Sequence, residues 1–264
     1  MPNFRVMTSL LGYTPSATSA DANWPVTNLA LYLRLTKKWA ATVATGVVDV
    51  TFDLGSGNTL SGLAADPGIF IDDVNVTAIK IQANSSSSWG TPPWDQAVTI
   101  GKDDWVQRRK GFWRFADLNV DAVAYRYVNV RILSQTPTDA ANYRISRVAL
   151  GQITELLINP LYDPERSFVD PSIKTEMFDG GEEHNSMGPR RFEAQYKRQL
   201  FGEAELAQEL AIQAITPGTP FVIWDSSRTS SQYAWMVRRT QEPAYRESFM
   251  EQHEGAIWSV REAI

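Results

Sequence analysis

Hydrophobic and polar positions alternate most regularly in the last third of the chain. Residues 191–198 read Arg-Phe-Glu-Ala-Gln-Tyr-Lys-Arg. Phe192, Ala194 and Tyr196 fall on one side, Arg191, Glu193, Gln195 and Lys197 on the other. A period of two is that of a half-buried strand. Over residues 203–215 the period changes. Leu206, Leu210, Ile212 and Ala214, with Ala207 and Ala211, form a helical stripe in a segment of strong helix formers. Glu203 and Glu205 fall in its first turn, where the helix dipole favours negative charge. Thr216-Pro217-Gly218-Thr219-Pro220 then stops the helix. Residues 221–224, 233–238 and 256–262 are apolar strands. The expected order is strand, helix, strand, strand, strand.

The first part of the chain has a different texture. Residues 1–11 read as an extended arm or first strand, and 12–28 as a loop rich in Ser, Thr, Ala, Asn and Pro. Residues 29–35 fit strand or helix, with strand preferred. Residues 47–55, 74–83, 96–100, 111–115, 124–132 and 143–150 are β-branched and alternating. Many short strands between turn signals point to a β-sandwich or jelly roll. Beyond Gly151 come residues 152–158, a short apolar strand, and then a Pro-punctuated connection. Residues 172–178 are expected to pair with 191–197 across a long loop, 179–188, a candidate contact surface.

Two resemblances attach to these residues. Arg190-Arg191-Phe192, the helix 203–215, Gly218-Thr219-Pro220-Phe221-Val222-Ile223-Trp224-Asp225 and residues 258–262 resemble the core of siphophage tail-tip proteins of the distal tail type. This covers less than a third of the chain. Val50-Thr51-Phe52-Asp53-Leu54-Gly55, residues 76–84, Tyr125-Arg126-Tyr127-Val128-Asn129-Val130-Arg131-Ile132 and residues 143–151 resemble strands of the discoidin, or galactose-binding-like, jelly roll. Ala22-Asn23-Trp24-Pro25-Val26-Thr27-Asn28-Leu29 resembles that family's first loop.

Together they imply a mainly β chain: an arm (1–16), a discoidin-like jelly-roll sandwich (17–151) and a smaller tail-tip α+β domain (152–264). The first resemblance implies a structural virion protein of a bacteriophage, made in the bacterial host cytoplasm. It would form a homo-oligomeric ring, hexamer or trimer, joining the tail tube to hub and fibres. The second implies the alternative, a glycan-binding adhesion module that contacts a host surface through loops at one end.

Composition narrows the chemistry. The formal net charge of −5 argues against a specific nucleic-acid binder, apart from a local basic strip at Lys102 and Arg108-Arg109-Lys110. Cysteine is absent, which removes disulfides, thiolate metal sites and cysteine catalysis. The N-terminus lacks the charged start and apolar stretch of a signal peptide. No apolar run approaches the roughly 18 residues of a membrane span. His184 and His253 lie in polar surroundings, with nothing that sets up a Ser-His-Asp triad. Glu182-Glu183-His184 lacks zinc-site spacing. Gly55-Ser56-Gly57 lacks the Gly-Lys ending and following helix of a phosphate loop. Asp72-Asp73 and Asp103-Asp104 read as solvated turns.

No catalytic, metal or cofactor site is therefore expected. Trp89, Trp94 and Trp105, in loops rich in Gly, Pro, Ser and Asp, are the candidate glycan contacts; the competing role is capping the core or a subunit contact. Trp224, Trp235 and Trp258 are expected in the core. The candidate subunit contacts are Arg191, Glu193, Gln195 and Lys197, with Glu182 and Glu183 in the loop before them. The edge of that strand is expected to be covered by a neighbouring copy.

Overall fold

The computed structural model describes residues 3–30, 37–104, 106–118, 125–139, 142–157, 159–160, 165–169, 172–176, 182–186, 191–196, 199–200, 203–215, 218–225, 230–240, 246–247, 253–254 and 258–263. β-Branched and aromatic runs between turn residues form the strands. In chain order these are β1 (Arg5–Leu10), β2 (Thr14–Ala17), β3 (Trp39–Ala40), β4 (Val48–Asp53), β5 (Pro67–Val74), β6 (Ala78–Asn84), β7 (Trp94–Thr99), β8 (Gly101–Lys102), β9 (Arg109–Arg114), β10 (Tyr127–Ile132) and β11 (Arg144–Glu155). Then come β12 (Glu165–Val169), β13 (Ser172–Glu176), β14 (Glu182–Ser186), β15 (Arg191–Tyr196), β16 (Gln199–Leu200), β17 (Phe221–Trp224), β18 (Ala234–Arg239), β19 (Arg246–Glu247), β20 (His253–Glu254) and β21 (Trp258–Glu262). The α-helices are α1 (Leu60–Leu63) and α2 (Glu203–Gln213).

A five-stranded sheet runs β2-β4-β10-β6-β7, and an eleven-stranded sheet runs β12-β15-β21-β18-β17-β1-β11-β5-β9-β8 with β3 beside β11. The five-stranded sheet packs on β5 and β11 to make the sandwich. Val48, Val50, Phe52, Ile79, Ile81, Val128, Val130 and Ile132 meet Ile69, Ile71, Ile145, Val148 and Leu150 in one buried apolar cluster. Period-two alternation supplies that inner face, as the sequence predicted.

The larger sheet carries the sandwich into the C-terminal part. β1 lies between β11 and β17 and is antiparallel to both. β11 runs through Gly151 without a break. A Cβ at Gly151 would stand 2.3 Å from the Ser9 carbonyl oxygen, so glycine lets β1 and β11 approach. One face of the C-terminal strands packs on α2 through Phe4, Phe192, Tyr196, Ile212, Ile215, Phe221, Trp235 and Val237. The rings of Phe192 and Trp235 stack with centroids 4.1 Å apart. Strand residues on the opposite side, among them Met7, Phe70, Ala149, Val222 and Met236, build a further small core.

Several expectations change here. The order β15, α2, β17, β18, β21 is the one read from the sequence, but the helix docks on a different stripe. Glu209, Ile212 and Ile215 are buried, whereas Leu210 is 51 % exposed. Gln208 fixes that rotation. Its side-chain amide donates to the Glu155 carbonyl at 3.1 Å, and its side-chain oxygen accepts from Leu157 N–H at 3.1 Å. Within residues 29–35, the strand expectation gives way to a 3₁₀ helix, Val26–Ala30, with 31–36 outside the described residues. β13 pairs with β14, not with β15, so the stretch read as one long loop contains a strand. β15 sits between β12 and β21, so both of its edges are hydrogen-bonded within the chain. The free edge expected over residues 191–198 is absent from the described strand.

Asp72 and Asp103 of the acidic pairs, and Arg108 and Lys110 of the basic strip, depart from the expected exposure, whereas Asp104 and Lys102 are exposed. Asp72, Asp103, Arg108, Lys110, Arg147 and Glu262 form a buried ion cluster between β5, β9, β11 and β21. Arg147 Nε donates to Asp72 at 3.1 Å, and its Nη atoms reach Asp72, Glu262 and the Ala263 carbonyl. Lys110 Nζ is 2.6 Å from Asp103 and 4.4 Å from the Trp235 ring centroid. Burial alone would push the Asp72 carboxyl up; Arg108, Arg147 and Lys110 outweigh it and hold it far below the carboxylate range. Three cations against three carboxylates let such a group of charges be buried, whereas removing one partner would leave a charge uncompensated.

Candidate functional site

Two stretches of the first part carry a tryptophan in a polar, Pro-containing loop, and the structure treats them oppositely. Trp89 lies in the loop after β6. Its neighbours 85–88 are exposed, but the indole itself is only 8 % exposed. Its Nε1–H donates to Thr51 Oγ1 at 2.9 Å on the outer face of the five-stranded sheet. Beneath it the polar side chains form a chain: Thr51 donates to Asn129 Oδ1, and Asn129 Nδ2 donates to both Gln82 and Asp49. Arg131 closes it with a two-pronged ion pair to Asp49, at 2.7 and 3.0 Å. An indole with its N–H satisfied and its ring covered is a cap, not a platform. The expectation of an exposed ring at Trp89 is corrected accordingly.

Trp94 opens β7 on the inner face. It is half-buried, meets Phe115 edge-on at 5.9 Å, and donates to the Leu118 carbonyl at 3.2 Å. Trp105 lies outside the described residues. Trp224 and Trp235 are buried as expected. The side chain of Trp258 is not among those described.

Among the described tryptophans, the exposed indole is that of Trp24, which keeps 37 % of its surface open. Its backbone is tied down at both its N–H and its carbonyl. Trp24 N–H donates to the Asp21 carbonyl at 3.1 Å, and the Trp24 carbonyl accepts from Ala40 N–H at 3.2 Å. Asp21 N–H donates in turn to the Ala40 carbonyl at 2.8 Å. The Asp21 carboxylate accepts from Asn23 N–H at 2.8 Å, an Asx turn. Pro25 follows and restricts the backbone of Trp24 further. Lys38 Nζ lies 4.9 Å from the indole centroid. That is within cation–π range and biases the ring orientation. Lys38 is itself placed by its carbonyl, which accepts from Asn28 Nδ2 at 2.9 Å. Ser19 and Thr42 join the two loops through a hydroxyl pair at 2.8 Å. Beneath them Trp39 is fully buried. The result is a fixed aromatic surface with a carboxylate, an amide and an ammonium around it. Trp24 lies in the loop expected over residues 12–28 but is not among the glycan contacts expected from the sequence. The signal was present: a tryptophan before proline, three residues after an aspartate.

The other candidates lie on the C-terminal sheet. Glu193 makes an ion pair with Arg261 Nε across β15 and β21 at 2.5 Å. Gln195 is exposed on the same face and Arg191 is half-buried. Lys197 is outside the described residues. Glu182 and Glu183 stand on β14 opposite Glu176 and Thr175, with only their backbone described. His184 faces Lys174 across the same hairpin, and His253 pairs with Leu200 and Glu247. Among the described residues no three His, Asp or Glu side chains form a metal-binding group. No described helix is long and apolar enough to cross a membrane. Gly55 and Gly57 occupy left-handed turns, and the helix after them, α1, is a single four-residue turn capped by Thr59.

No family model and no curated protein matches this chain. Solved structures do. Chitosan-binding module 1 of a Paenibacillus sp. IK-5 chitosanase/glucanase aligns at TM-score 0.36 and 18 % identity, covering 53 % of this chain and 95 % of that one. Chitosan-binding module 2 of the same enzyme, in complex with chitotriose, aligns at 0.36 and 16 %, over 53 % and 97 %. A Ruminococcus gnavus GH29 fucosidase aligns at 0.39 and 14 %, over 55 % of this chain and 26 % of that one. Likeness of this degree says nothing about what this chain binds.

Proposed function

We propose that this chain is a non-catalytic carbohydrate-binding module and that the loop end around Trp24 is its sugar surface. The observation that carries the reading is the exposed Trp24 indole on a backbone held by hydrogen bonds, Asx turn and proline. Sugar rings present C–H faces that stack on aromatic rings, while flanking polar groups orient the hydroxyls. Asp21 offers an acceptor, Asn23 both a donor and an acceptor, and Lys38 donors. Because the turn is preformed, little ordering opposes binding. A glycan array probed with the full chain tests this. At least one glycan should bind, and Trp24→Ala should abolish that signal while the melting temperature stays near that of the parent. Equal signals from both proteins would overturn the reading.

A second reading, a distal tail ring component of a phage virion joining tube to hub and fibres, draws on the order β15, α2, β17, β18, β21. Sizing the purified chain by light scattering separates the two. A closed multimer without sugar binding would favour the ring; a sugar-binding monomer would count against it.

A further inference from the structure

The polar face of the C-terminal sheet holds a site unrelated to the Trp24 loop. Register puts Ser167, Glu193, Arg261 and Arg238 in one row across β12, β15, β21 and β18. Directly paired residues point to the same face. The next row contains Gln195 and Ser259, continued by Thr240, whose N–H donates to the Ser259 carbonyl at 2.9 Å. These rows, except Arg238, line an open cavity of about 390 Å³ together with Arg166. That volume lies within the range of small-molecule sites, roughly 300–1,000 Å³.

The charges in this face are unbalanced. Glu193 pairs with Arg261 Nε at 2.5 Å, and the Arg261 side chain remains 53 % exposed. Arg238 stands directly across from Arg261 and has no ion pair among the described residues. Two like charges facing each other across strands destabilise a sheet, and an anion seated against both removes that cost. Guanidiniums match carboxylates through paired N–H donors. Gln195 offers an amide, and Thr240 and Ser167 offer hydroxyls, to a hydroxylated ring beside that carboxylate.

We propose that this cavity binds a hydroxylated carboxylate of the uronic-acid class, with the hydroxyls on Gln195, Thr240 and Ser167 and the carboxylate at the cavity's edge, between Arg261 of the lining and Arg238 on the neighbouring strand. Calorimetric titration of the full chain with glucuronate, glucose and acetate tests it. Glucuronate should bind saturably at one site, and glucose and acetate roughly tenfold or more weaker, since each lacks one half of the recognised chemistry. Arg261→Gln and Arg238→Gln should each weaken glucuronate about tenfold, one lost charge-assisted contact apiece. Arg238→Gln, which breaks no ion pair, keeps the test decisive if Arg261→Gln fails to fold. Trp24→Ala should leave glucuronate binding unchanged, so a failure of the sugar reading at the loops does not imply failure here. The proposal is overturned if glucuronate does not bind, if glucose or acetate binds equally well, if folded Arg238→Gln binds like the parent, or if Trp24→Ala removes the binding.

Discussion

Trp24 and Trp89 both occupy polar, proline-containing loops, one opening into solvent and the other closing over the sheet. What separates them is the partner each finds. Trp89 has a hydroxyl, Thr51 Oγ1, waiting on the outer face of the five-stranded sheet, and its ring covers a satisfied row of polar side chains. Trp24 has its backbone pinned to Asp21 and Ala40 instead, and its ring is left outside. A loop tryptophan therefore becomes core or surface according to whether its N–H or its main chain is the anchored group. The first use contributes stability, and the second contributes a binding face.

The largest effect that would break this contrast is on Trp89. Trp89→Ala should cost about 3–5 kcal/mol, the usual loss for a buried tryptophan, measured by chemical denaturation. A cost near zero would mean the ring is not a cap. Next comes Thr51→Val, which strands the indole N–H and the Asn129 oxygen without partners. It should cost roughly 1–3 kcal/mol, and combining it with Trp89→Ala should be clearly less than additive, since both remove the same contact. Lys38→Ala should cost less, about 0.5–1 kcal/mol for an exposed cation–π contact, with its clearer effect in mobility of the Trp24 ring by NMR relaxation. Trp24→Ala itself should change stability by no more than about 0.5 kcal/mol, as surface substitutions do. A loss comparable to that of Trp89→Ala would erase the difference between the two loops.

Legibility followed the range of the interaction. Alternation at Phe192, Ala194 and Tyr196 announced β15, and Pro217-Gly218 announced the stop after α2, because both are local signals. The buried stripe of α2 was misread because Ala, Leu and Glu specify a helix without specifying its rotation, which Gln208 sets by reaching the end of β11. β1 could not be placed between β11 and β17 from sequence, since its partners lie some 150 and 220 residues further on. The ion cluster was equally hidden. Asp72, Asp103, Arg108 and Lys110 look like surface charges until β11 and β21 bring Arg147 and Glu262 over them. At the candidate sugar surface, residue type was legible and burial was not, so Trp89 was chosen and Trp24 overlooked.

The central claim, that sugar meets the chain at Trp24, is tested most directly by the indole N–H resonances of the nine tryptophans. Each gives one NMR peak, and Trp24→Phe and Trp89→Phe identify two of them by deletion. On titration with the best ligand from the array, the Trp24 peak should move most while the Trp89 peak stays in place. Movement of the Trp89 peak with a stationary Trp24 peak would contradict the account.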